Sequence, residues 1–168
     1  MIKIKEVDFA DCMALLKFEV DNRTYFEKYV PPRNSKYYSI EGVKKSLDDM
    51  YMLRRSDEYY MYLILNQKEE ILGRINLFNI DREIGHGEIG YRVGEVHTGN
   101  RYASRAVDLL IPVARNLGLT GLSAQAILSN YASLKVLENS GFFKKNVLKD
   151  HIFWEEQYHD AIQYFKYL

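Results

Sequence analysis

Apolar and polar residues alternate at the start of the chain, where IKIKEV (residues 2 to 7) reads as a short strand. The period then lengthens. ALLKFEV (14 to 20) has helical spacing, with Asp8 or Asp11 placed to cap it. The aromatic and charged stretch RTYFEKYVPPRNSKYYS follows, and Pro31-Pro32 stops any helix there. EGVKKSLDDMYMLRR (41 to 55) puts Val43, Leu47, Met50 and Tyr51 on one helical face. YYMYLILN and EEILGRINLF are strand-like runs separated by Gln67 and Lys68, which predicts a hairpin, and GEIGYRV (87 to 93) is a further strand.

A second helical pattern turns Ala103, Ala106, Val107, Leu110, Ala114 and Leu117 inward. Pro112 lies inside it and is expected to kink or thin the helix, because its ring removes one backbone hydrogen bond. Gly118 and Gly121 bracket a turn into the strand LSAQAIL, and the helix NYASLKVLENS ends at Gly141, a suitable C′ residue. FFKKNVLKD (142 to 150) and DAIQYFKYL (160 to 168) close the chain as strands. No linker or repeat interrupts this order, so residues 1–168 form one domain. A mainly antiparallel sheet with a strand–helix–strand–helix unit in its middle is expected, an α+β or mixed three-layer fold.

Composition narrows the class. Apolar residues make up 47% of the 168 and charged residues 27%, as in ordinary soluble domains. Aromatics reach 14%, with fourteen Tyr, which suits strands and a wide, partly wet cleft. Lys and Arg number 23, as do Asp and Glu, and this balance argues against nucleic acid as a partner. Cys12 is the only cysteine, so no internal disulfide forms, and no Cys/His cluster has metal-ligand spacing. There is no signal-peptide core and no apolar run of membrane-spanning length, and the expectation is a cytoplasmic protein without a membrane partner.

Two junctions carry candidate chemistry. In VGEVHTGNRYASRAV (93 to 107) a strand end becomes a helix start through Gly99, Asn100 and small residues, with Arg101 and Arg105 nearby. The first turn of a helix offers unpaired N–H groups and a positive dipole end, so phosphate is a natural guest. The alternative is a capped helix with solvated arginines. This junction fits neither GxxxxGK[ST] nor GxGxxG, which disfavours a P-loop or a dinucleotide fold there. In SNYASLKVLENSGFF (129 to 143) Asn130 can cap the helix, and Ser133 follows one turn later on nearly the same face. These residues make either a plain cap with an exposed Ser or the wall of a groove for a cofactor's tail.

With these pieces in hand, the chain resembles the GNAT acyl-CoA N-acyltransferases, in particular their ribosomal-protein N-acetyltransferase (RimJ/RimL-like) branch. EIGYRV, TGNRYASRAV and NYASLKVLENSGF occur in the family's order and spacing, and the last matches N-x-x-S-x-x-V-L-E-x-x-G-F at every fixed position. The pyrophosphate loop departs from the family's Q/R-x-x-G-x-G/A, with Thr98 for Gln or Arg and Arg101 for the central Gly. A negative φ at Arg101 would leave its N–H usable, whereas a positive φ would cost about 1 kcal/mol or more.

The resemblance implies acetyl-CoA in a V-shaped gap between the fourth and fifth strands. The strand segment Tyr91, Arg92 and Val93 would pair with pantetheine, and amides of Thr98, Gly99, Asn100, Arg101, Tyr102, Ala103 and Ser104 would hold the pyrophosphate. Asn130 and Ser133 would line the same groove. Glu88 would serve as base through a water and Ser133 as hydrogen-bond donor to the departing sulfur, since the family's usual Tyr position holds Leu137. Tyr25, Phe26, Tyr29, Trp154, Glu155 and Tyr158 would wall the acceptor cleft, aromatic and acidic, for a cationic amine. His86 and His97 receive no role. The implied reaction is acetyl transfer to a primary amine, on a protein N-terminus or a small molecule. The rival reading is a silent CoA-binding sensor, favoured by Arg101 and opposed by the intact Glu88, Asn130 and Ser133. A homodimer is in keeping with the family.

Overall fold

In the computed structural model, which describes residues 1–168, Tyr59–Leu65 (β2) is buried along nearly its whole length. Its side chains alternate between two cores. Tyr60, Tyr62 and Ile64 join one; Met61, Leu63 and Leu65 join the other. A strand covered on both faces sits between two helix layers.

On one side of β2 lies β1 (Lys3–Glu6) and on the other β3 (Ile71–Asp81), which pairs with β4 (His86–Val93), all antiparallel. Then come β5 (Gly121–Ile127), β7 (Gln157–Tyr167) and β6 (Phe143–Trp154), giving seven strands in the order β1-β2-β3-β4-β5-β7-β6. The one parallel pair is β4 with β5. Helices α1 (Cys12–Asp21), α2 (Arg23–Phe26) and α3 (Ile40–Arg55) cover one face through Leu15, Phe18, Phe26, Val43 and Leu47. Helices α4 (Tyr102–Asn116) and α5 (Tyr131–Asn139) cover the other through Ala106, Val107, Leu110, Ala114 and Leu137. This is the mixed three-layer fold that the residue pattern predicts.

The β4–β5 ladder stops halfway. His86–Ile89 pair with Gly121–Ala124; beyond them β4 keeps only β3, and Gln125–Ile127 keep only β7. The sheet opens into a V.

Several local details differ from expectation. Helix α4 runs through Pro112 to Asn116. Pro112 and Asp108, whose carbonyl loses its partner, are both exposed, so water can take up that acceptor. The β2–β3 connection spans residues 66–70 rather than two residues, held by the Asn66 side chain accepting from the amides of Lys68 and Glu70. The last two strands extend well past the predicted pieces and meet at Glu155 and Glu156, both at positive φ. That geometry belongs to a two-residue hairpin turn, but Glu-Glu lacks the Asn-Gly or Gly signal that would reveal it. Of the two Asp residues expected as caps, Asp8 accepts from Ala10 N–H, and Asp11 returns the contact to the Asp8 amide.

Leu110, with no exposed surface, fills the space between α4 and the sheet. Leu110→Ala is expected to destabilise the fold by about 2–5 kcal/mol, read from the urea midpoint at unchanged slope.

Candidate active site

The first turn of α4 points into the open V. Its N-cap residue, Arg101, has φ 60° and provides no side-chain cap, and the first helical bond runs from the Arg105 N–H to the Arg101 carbonyl. The N–H groups of Tyr102, Ala103 and Ser104 therefore lack helical partners. All three residues line a cavity of about 380 Å³, together with Thr98, Gly99 and Arg101. Unpaired amides, a helix dipole and the Arg101 side chain on one wall make an anion site. Asn100 stays out of it: its amide group donates back to the carbonyls of His97 and Thr98 and holds the loop. The loop is also tied to the α1–α2 corner, where Asn22 Oδ1 accepts from the Glu95 N–H at 2.8 Å. That bond sets the aromatic wall of Tyr25, Phe26 and Tyr29 against the same cavity.

At the inner end, Tyr91 and Ser133 meet. The Tyr91 hydroxyl lies 3.1 Å from both the Ser133 carbonyl and its Oγ. Burial pushes the Tyr91 phenol far above its ordinary value, outweighing the Ser133 bond, so it stays protonated throughout the working pH range. Asn130 acts as the N-cap of α5, its Oδ1 accepting from the Ser133 N–H at 3.1 Å. It is at once a cap and a wall residue.

A second cavity of about 410 Å³ continues from the first, sharing Tyr29, Val30, Tyr91, Arg92, Asn130 and Ser133 with it. It passes through the V to the α1–α3 side of the sheet, where Arg74, Asn76 and Phe78 of β3 and Gly90 and Arg92 of β4 form its wall. Two connected hollows, one floored by helix amides and one across the sheet, can bring two ligands together end to end.

Similarity to known proteins decides the family. The sequence profile described as an acetyltransferase (GNAT) domain matches residues 2–143. The chain belongs to the GNAT acetyltransferase family. It is 26% identical over 162 residues to the probable N-acetyltransferase YjcK of Bacillus subtilis (strain 168), covering 92% of this chain and 90% of that one. Its fold superposes on the ribosomal-protein-S5-alanine acetyltransferase of Vibrio fischeri with a TM-score of 0.93 at 22% identity, over 99% and 92% of the two chains. A RimL ribosomal L7/L12 α-N-protein acetyltransferase, solved with coenzyme A, gives 0.91 at 21%, over 99% and 94%. This GNAT chain is an acetyl-CoA-dependent N-acetyltransferase. The open V, the uncapped α4 N-terminus and the first cavity fit coenzyme A by their own chemistry.

The structure gathers Tyr91, Arg92, Val93, Thr98, Gly99, Arg101, Tyr102, Ala103, Ser104, Asn130 and Ser133 around the first cavity. Glu88 lies apart from both linings. It is two residues from Gly90 on the same strand face, with Asn79 Nδ2 donating to its carboxylate at 3.2 Å. The late hairpin also contributes less than expected. Trp154 is buried against His159, at 3.5 Å between ring centroids, and packs with Ile127 and Ala161. Tyr158 is exposed beside Phe153, and Glu155 is exposed in the turn. None of these three lines either cavity, so the acidic wall expected there is missing. Residue-level reading missed the Tyr91 side chain, His97, Lys135 and Asn139, which also face the first cavity. Lys135 and Asn139, four residues apart, share one side of α5, and that spacing carried a usable signal.

The φ of 60° at Arg101 answers the question its substitution for Gly raises: the loop keeps the left-handed turn and the side chain bears the cost. Arg101→Gly is expected to raise stability by about 0.5 kcal/mol, the relief of the left-handed penalty less the added freedom of the unfolded chain. Thermal denaturation without ligand checks the sign.

Proposed function

We propose that this enzyme holds acetyl-CoA along the first cavity and receives its amine, a protein N-terminal α-amine or a small-molecule amine, through the second. The observation that carries this reading is the junction of the two cavities at Tyr91 and Ser133, where the strands part. Two of the structural neighbours are named as ribosomal-protein acetyltransferases, one of them an α-N-protein acetyltransferase, which supports a primary amine as acceptor.

Bound acetyl-CoA supplies an activated thioester. The chain's own groups do the rest. Amides of Tyr102 to Ser104 and the Arg101 side chain bind the pyrophosphate. Unpaired backbone groups between Gly90 and Val93 align the pantetheine arm and polarise the acyl carbonyl. Ser133 Oγ at the groove wall would donate a hydrogen bond to the departing sulfur while keeping its own proton, and Tyr91 beneath fixes the serine's rotamer. Glu88, reaching the cleft through ordered water along the Gly90 face, takes the proton of the amine. Holding both reactants in line supplies much of the rate.

A homodimer is part of this reading, supported by the exposed apolar side chains Phe143, Val147 and Phe153 along β6, one of the two edge strands. A cytoplasmic setting is in keeping with a lone buried thiol and a need for acetyl-CoA.

Acetyl-CoA, and not ATP, is expected to raise the melting temperature; at a hundred times Kd the gain is about 2.7 kcal/mol. No shift with acetyl-CoA defeats the reading. In a thiol-release assay over an amine panel, Ser133→Ala and Tyr91→Phe should each lower kcat about tenfold with the acetyl-CoA KM little changed, the rate equivalent of one hydrogen bond. Glu88→Gln should lower turnover and spare CoA binding; full activity would remove Glu88 from the mechanism.

A further inference from the structure

The second cavity, the acceptor side in the proposed function, has a charge pattern that specifies the acceptor, and the inference rests on that assignment. Its charged lining residues are Arg74 and Arg92, and no Asp or Glu joins them. The two stand opposite each other in the β3–β4 register, an unfavourable juxtaposition of like charges. Arg33 adds a third guanidinium, stacked 4.1 Å over the Tyr37 ring. One carboxylate serves all three. Glu19 of α1, wholly buried, lies 3.1 Å from Arg74, 3.8 Å from Arg92 and 4.0 Å from Arg33.

Neutralisation is incomplete in charge and in geometry. Three guanidinium groups against one carboxylate leave a surplus of two positive charges. The close Arg74 contact is ionic without being an aligned hydrogen bond, so Arg74 Nε and both Glu19 oxygens lack aligned partners. Arg74 is only 5% exposed, and its Nη1 faces Met61 Sδ at 3.3 Å, a weak acceptor. Burial and the neighbouring Arg33 hold the Arg92 guanidinium below its ordinary range, against the pull of Glu19. A well-satisfied Arg–carboxylate pair forks two aligned N–H groups onto the carboxylate, and Arg74 makes no such fork on Glu19. Surplus buried cation on a cavity wall is the counterpart of an anion that arrives with the ligand.

We propose that the acceptor amine carries a carboxylate, which Arg74 and Arg92 hold while the amine faces the parted strands. Its source is either a free amino acid's own carboxylate or an acidic side chain in the first residues of a peptide. Both present the planar oxygen pair that a guanidinium fork fits. A polyamine brings only positive charge, and this wall repels it.

The test is kcat/KM for matched acceptors. Free L-amino acids are compared with their carboxamides, Ser-Glu-Glu-Ala peptides with Ser-Gln-Gln-Ala, and spermidine serves as the cationic control. The wild type is expected to prefer the carboxylate member of one pair by roughly ten- to a hundredfold, chiefly through KM. Preference within the amino-acid pairs assigns the free amino acid; preference within the peptides assigns an acidic N-terminus. Arg74→Met should bring the ratio towards one, whereas Glu19→Gln, which adds to the positive surplus, should keep or raise it. A structural role alone would lower overall activity in both variants and leave the ratio unmoved. Should either variant fail to fold, the wild-type ratios decide. Equal use of both members, preference for spermidine, or turnover of no anionic probe overturns the inference. Acetylation of any other amine in those cases leaves the acetyltransferase reading standing, while loss of acetyl-CoA stabilisation would defeat that reading instead.

Discussion

Where the β4–β5 ladder ends, backbone groups of two central strands are left without their sheet partners, and the rest of the site depends on that parting. Gly90–Val93 keep β3 and Gln125–Ile127 keep β7, so the sheet survives it. Yet each strand then presents one unpaired edge towards the gap, and buried backbone polar groups demand partners. The gap is held open from below, where α5 packs through Leu137 and the Tyr91 hydroxyl reaches Ser133. A wedge of side chains keeps the strands apart, and the open edges become a template for an extended ligand with amide groups of its own. Pantetheine has that chemistry.

The parts of the site readable from sequence are those whose geometry is local. An N-cap three residues before the amide it serves, as in Asn130 and Ser133, is written within one helical turn. So is the α4 entry, where small residues and a positive-φ position precede an uncapped helix. Even there the letters mislead slightly, because Arg101 occupies a conformation that usually calls for Gly. Asn100 stands among residues that line the first cavity and turns its side chain back into the loop. The late hairpin was less legible. Its register depends on a Glu-Glu turn, and the consequence is that Trp154 buries itself against His159 while Glu155 and Tyr158 point to solvent. Similarly, the tolerance of α4 for Pro112 depends on which side of the helix meets water, a tertiary fact.

Least legible of all was the charge around Glu19. Its arginine partners come from the loop after Pro31-Pro32, from β3 and from β4, and only the folded sheet brings them together. Equal totals of acidic and basic residues say nothing about such a cluster. The balance holds for the chain as a whole and fails locally, where desolvation makes each unmatched charge count for more.

The alternation of β4 explains how one strand lines two cavities. Successive side chains point to opposite faces. Tyr91 therefore lies with Ser133 on the α4–α5 side, while its neighbour Arg92 lies with Glu19 on the α1–α3 side. Arg92 also lines both cavities. A cation between two hollows draws anionic groups to both without drawing the hollows together, and it disfavours a cationic guest in either. An acceptor entering with a positive amine and no compensating carboxylate would meet this barrier before reaching the parted strands. On the proposed reading, selection of the acceptor is built into the same strand that aligns the cofactor, one residue away from the Tyr91–Ser133 hydroxyl pair.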